Sequence, residues 1–212
     1  MERSNYLNEI RQKIIESEKG TVFVASDFAD ISDNMKVGVC LSRLENEKLL
    51  RHIMRGVYDK PEYNSFLQEY LEPAPDKVAN AIARNYGWTI VPCGDTALNL
   101  LGLSTQVPAI WLYVSDGPYK EYSFNNTTIK FKHTANKGIS KLSYKTSLVI
   151  QALKALGKEN IDNNVIVKLT KALTDDEKKN MLNEAKSTTS WIYEYIKSIA
   201  RSSENVFCVH LK

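Results

Sequence analysis

Val37-Gly38-Val39-Cys40-Leu41-Ser42-Arg43-Leu44, a short polar turn, and Leu49-Leu50-Arg51-His52-Ile53-Met54-Arg55-Gly56-Val57-Tyr58 are the residues on which the fold turns. Val37, Cys40, Leu41 and Leu44 recur at i, i+3, i+4 and i+7, the spacing of one buried helical face. Lys36, Val39, Ser42 and Arg43 are then left facing outward. The run after the turn is a tight basic hairpin, with Gly56 placed where the backbone bends and a positive φ is expected. Tyr58 is available to pack or to meet a phosphate. Upstream, Tyr6, Leu7, Ile10 and Ile14 predict a helix from about Asn5 to Ser17, and Gly20 stops it. Thr21 to Val24 reads as a strand, Ser26 or Asp27 can cap a brief helix through Asp30, and Ile31 to Asn34 makes a turn. A helix followed at once by an antiparallel ribbon is the order of a winged helix-turn-helix. Residues 1–61 are therefore expected to form such a domain.

Charge agrees with that expectation. Residues 1–60 carry ten cations and ten acids, but between 34 and 60 six cations face three acids, so the positive surplus sits where a phosphate backbone would lie. Lys36, Ser42 and Arg43 from the helix and Arg51 and Arg55 from the wing are the expected contacts to double-stranded DNA. The alternative is a winged helix used only as a protein contact.

Residues 62–75 read as a linker, because Pro73 and Pro75 cannot both lie inside a helix. Beyond it, 76–212 predicts a second α+β domain with a small antiparallel sheet and C-terminal helices. Asp76 is the expected cap of a helix whose Val78, Ile82 and Tyr86 share a face, ended by Gly87. Trp88 to Val91, Pro108 to Val114, Lys120 to Phe124 and Thr128 to His133 read as strands, and Asp95 to Leu101 as a short helix between the first two. Ser115-Asp116-Gly117-Pro118 and Asn125-Asn126 are the turns. Helices are expected over Ser147 to Leu156, over Asn163 to Leu173, and from the capping box Thr174-Asp175-Asp176-Glu177 unbroken to about Ile199, with a last strand at Val206 to Val209.

The remaining features mostly exclude. A chain of 212 residues suits two domains, and 43% hydrophobic with 25% charged residues is ordinary for a globular protein. Cys40, Cys93 and Cys208 have neither disulfide nor zinc spacing, and Cys40 falls on a buried helical face. The start, Met1 to Tyr6, leads into a charged helix, and no apolar run approaches a membrane span, so a cytoplasmic protein is expected. No phosphate loop or catalytic triad spacing is present, and His52, His133 and His210 are scattered. No enzyme activity, metal or cofactor is expected. Gly94-Asp95-Thr96 opens a helix and keeps one alternative alive, a regulator whose second domain binds a small ligand or nucleotide.

Several strings in this order also carry a family likeness: Leu41-Ser42-Arg43-Leu44, Arg55-Gly56-Val57-Tyr58, Ala81 to Trp88, Leu101 to Pro108, Ser115-Asp116-Gly117-Pro118, Phe131-Lys132-His133-Thr134 and Gln151 to Asn160. On these the chain resembles, over nearly its whole length, the AbiEi-like antitoxins of type IV toxin–antitoxin systems, in the branch with a short winged helix. The turn departs from that family's lysine-rich pattern, having Glu45-Asn46-Glu47-Lys48. The resemblance implies an autorepressor that binds inverted repeats in its own promoter. It also implies neutralisation of a nucleotidyltransferase-like toxin without need of a stable complex. Between Tyr119 and Lys158 eight lysines face the single acid Glu121. This is either a solvated face or an antitoxin surface in which Lys132, His133, Lys137, Lys141 and Lys145 meet a polyanion, RNA or an acidic protein surface.

Overall fold

The computed structural model describes residues 5–134 and 141–201, which fall into two compact units of α+β architecture. The first holds residues 5–88 with the turn 124–126, and the second the rest. Lys137 and the expected strand at Val206 to Val209 lie outside the described residues.

The first unit begins with α1 (Tyr6–Glu16), β1 (Val22–Val24) and a 3-10 turn over Ala25–Phe28. Asp27 fixes that turn by accepting from the Val24 amide at 2.9 Å. Helix α2 (Asn34–Asn46) starts at Asp33, whose carboxylate accepts from the Lys36 amide at 3.0 Å. Its buried residues are Val37, Cys40, Leu41 and Leu44, the stripe expected from their spacing. They pack with Ile10, Ile14, Phe23, Phe28 and Leu50. Strands β2 (Arg51–Met54) and β3 (Val57–Asp59) follow, and the sheet order is β1-β3-β2, antiparallel throughout. The two-residue tip Arg55-Gly56 closes the hairpin with φ +76° at Gly56, and a bulge between His52 and Met54 shifts its register.

The stretch 62–75 is more ordered than a linker. It contains a hairpin, β4 (Tyr63–Asn64) with β5 (Glu69–Tyr70), whose loop is held by Asn64 Oδ1 accepting from the amides of Phe66 and Leu67. Pro75 is not part of a connector but the first residue of α3 (Pro75–Tyr86), where a missing N–H costs nothing. Asp76 therefore sits in the first turn, not at the cap. The division between units falls after Trp88 because α3 packs on β1 and β3, burying Val78, Ala81 and Ile82. Tyr86, expected on that face, is exposed and stacks on Trp88 at 4.7 Å between ring centroids.

In the second unit, β6 (Ile90–Pro92), β7 (Ile110–Ser115), β8 (Lys120–Phe124) and β9 (Thr127–His133) form a sheet of order β6-β7-β9-β8. The β6/β7 pair is antiparallel, but β9 inserts parallel to β7, so the sheet is mixed. Parallel neighbours need a crossover connection, and here the edge strand β8 supplies it. Helices α4 (Asp95–Leu100), α5 (Tyr144–Leu156), α6 (Asn163–Ala172), α7 (Asp175–Glu184) and α8 (Ser190–Arg201) share a core of Leu148, Leu153, Leu169, Met181, Ile192 and Ile196. The capping box at Thr174 and Glu177 forms as its spacing predicts. The helix it opens, expected to run unbroken to Ile199, instead stops at Glu184 and restarts at Ser190.

Candidate functional site

The outward face of α2 presents Met35 (82% exposed), Val39 (51% exposed), Ser42 and Arg43. Lys36 is partly committed at the start of the same helix. Its Nζ lies 2.8 Å from Asp33 Oδ2 and 5.7 Å from the Tyr6 ring centroid. The Asp33 pair raises the Lys36 pKa, and the Lys36 hydrogen bonds hold the Asp33 carboxyl below its usual range. Glu47, one of the two acids in the unusual turn, is neutralised by a bidentate pair with Arg11, whose Nη2 donates to Oε1 at 2.9 Å. Lys48 then turns the chain in a left-handed conformation, φ +62°, and is exposed.

The hairpin separates its two arginines. Arg55 is exposed at the tip. Arg51, expected to meet a phosphate, is turned inward: its Nε donates to Asp59 Oδ1 at 3.0 Å, and its Nη2 donates to Asp59 Oδ2 at 2.6 Å and to the Leu71 carbonyl at 2.8 Å. The cause is register. Arg51 and Asp59 are cross-strand partners, and Asp59 is only 1% exposed, so its carboxylate takes the nearest guanidinium. Tyr58 packs into the core, with its ring 5.2 Å from that of His52. Burial pushes its hydroxyl pKa up.

In the second unit Lys132 is exposed near the end of β9 and lies in one register row with Val114 of β7 and Val91 of β6. His133 Nδ1 donates to the Gly117 carbonyl at 2.9 Å, and its ring meets Tyr119. Lys141 lines a cavity beside Val91, which shares that register row, while Lys145 is half-buried in the first turn of α5. At Gly94-Asp95-Thr96 the Thr96 hydroxyl accepts from the Leu112 amide at 2.7 Å, and the helix the motif opens, α4, is six residues long. Two features escaped sequence reasoning, the apolar β4–β5 tip with Phe66 91% exposed and the hydroxyl-rich stretch Ser187-Thr188-Thr189 between α7 and α8. An Asn at a hairpin turn and a run of Ser and Thr were the available signals.

Among the described residues no helix is long and apolar enough to cross a membrane. Residues 9–181 match the model of DUF6088, a family of unknown function, and the chain belongs to that family. No curated protein matches it.

Proposed function

We propose that the protein is a cytoplasmic DNA-binding autorepressor and antitoxin, reading promoter DNA through a winged helix-turn-helix in its first unit. The observation that carries this reading is the element order α1, β1, 3-10 turn, α2, β2, β3 with sheet order β1-β3-β2. It leaves a helix with an uncovered polar face directly before a hairpin tipped by an exposed arginine. Ser42 and Arg43 meet the groove, Arg55 meets a phosphate, and Lys36 assists from the helix start. Arg51 serves as a strut beneath the wing. Antitoxin action against a nucleotidyltransferase-like toxin rests on the resemblance of the quoted strings, with Lys132, His133, Lys137, Lys141 and Lys145 as its surface for a polyanion such as RNA.

Gel shifts on the chain's own upstream region test the DNA reading. Arg43→Ala and Arg55→Ala each lower affinity, and loss of a phosphate contact flattens the log–log salt slope by about one. Unchanged affinity and slope in both variants would refute it. Co-expression with a neighbouring nucleotidyltransferase-like reading frame tests the antitoxin reading, which fails if growth is not rescued.

A further inference from the structure

We propose that the second unit holds a site for a small phosphorylated molecule, of up to mononucleotide size, in the cavity that runs along α5 from Ser147 to Lys154 and is bounded by Ser187, Thr188 and Thr189 just ahead of α8. The cavity measures about 280 Å³, near the lower end for small-molecule sites. Lys141 and Lys154 bring two positive charges to it, and among the described lining residues none is acidic. Neither lysine forms an ion pair within the described residues. Two unneutralised cations match the charge of a phosphate monoester dianion better than that of a carboxylate.

Ser147 gives the independent sign of a guest. It lines the cavity, is 4% exposed, and its buried Oγ has no hydrogen-bond partner. Buried hydroxyls are normally satisfied, so an unpartnered hydroxyl on a residue that lines this cavity is a hydrogen-bonding group that a ligand oxygen would complete. The start of α8 follows directly on the cavity lining. Thr189, which lines the cavity, accepts through its carbonyl from the amides of Ile192 and Tyr193, so the amides of Ser190 and Trp191 precede the helical ladder. Ser187 and Gln151 supply further polar groups, while Val91, Leu142 and Ile150 give an apolar wall for the organic part of the ligand. Lys141 is shared with the polyanion surface proposed above. The site itself does not depend on that reading, and a mononucleotide separates the two.

The full chain is titrated with inorganic phosphate and with AMP, followed by thermal shift and calorimetry, against adenosine and sodium chloride at matched ionic strength. Phosphate or AMP raises the melting temperature saturably and adenosine does not. Lys141→Ala/Lys154→Ala weakens the binding at least about tenfold, as expected for losing hydrogen bonds to charged groups. Ser147→Ala weakens it while leaving the unliganded protein at least as stable, a split that a purely structural serine would not produce. Absence of saturable binding by both probes, or binding that survives the double lysine change, overturns the proposal. Binding confined to oligoribonucleotides overturns it as well, because the lysines then serve an extended polyanion.

Discussion

Replacing Arg51 with Ala removes three hydrogen bonds at once and leaves the 1%-exposed Asp59 carboxylate without its cation. Breaking a fully buried ion pair from one side costs about 3–5 kcal/mol. The Arg51 side chain retains 31% exposure, which admits water to the vacated site, so the loss is nearer about 2–3 kcal/mol. For a unit of this size each kcal/mol moves the melting temperature by about 4–8 °C, giving a fall of roughly 10–20 °C for the first unit. Differential scanning calorimetry of the full chain reads this directly, with the second unit's transition as internal control. Arg51→Ala/Asp59→Ala regains part of the loss, because it removes the stranded carboxylate together with its partner. If Arg51→Ala melts within about 2 °C of the parent while weakening DNA binding, the guanidinium contacts phosphate and is no strut.

Gly56→Val is expected to cost about 1–3 kcal/mol through backbone strain alone, since φ is +76° and a Cβ there meets nothing within 4 Å. An unchanged melting temperature would contradict this. Thr174→Ala opens the capping box of α7 and should destabilise the second unit by about 1 kcal/mol in urea melts, with Thr174→Ser retaining most of the stability. Burial pushes the Glu184 carboxyl up, but hydrogen bonds from Thr146 and Ser143 outweigh it and leave its pKa lowered. Its stabilisation is thus present above the ordinary carboxylate range and lost as pH falls through the lower folded value. Glu184→Gln should flatten the acid limb of the stability–pH curve, and an identical limb in the variant would show that other carboxylates govern it.

The α2 stripe was legible because four apolar residues at helical spacing admit few other readings, and Gly56 because a basic hairpin of that length needs a left-handed residue at its tip. What escaped depends on distance along the chain. The inward turn of Arg51 follows from its pairing with Asp59, in a register that a bulge between His52 and Met54 helps to set. Insertion of β9 beside β7 is invisible locally, because each strand has the same β-forming composition whichever neighbour it takes. The break before α8 lacks any Gly or Pro, and its hydroxyl residues were absorbed into a continuous helical pattern. In the proposed interface, residue types and spacing placed Ser42, Arg43 and Arg55 on the surface, yet could not tell an exposed arginine from a bonded one.

Helix α3 bears on how this chain can be divided. Arg84 reaches back to Asp27, donating from Nε at 2.9 Å and from Nη2 at 3.1 Å, and also donates to the Val22 carbonyl. A fragment ending at residue 61 would strip the cover from β1 and leave a three-stranded sheet with one wet apolar face. A fragment beginning at 62 would carry a helix whose apolar side has lost the sheet it covers. Gene fusions and expression pieces should be cut after Trp88, which keeps the helix with its sheet and leaves behind only the turn 124–126 of that unit, and the segment to move in a domain exchange is the longer piece, helix included.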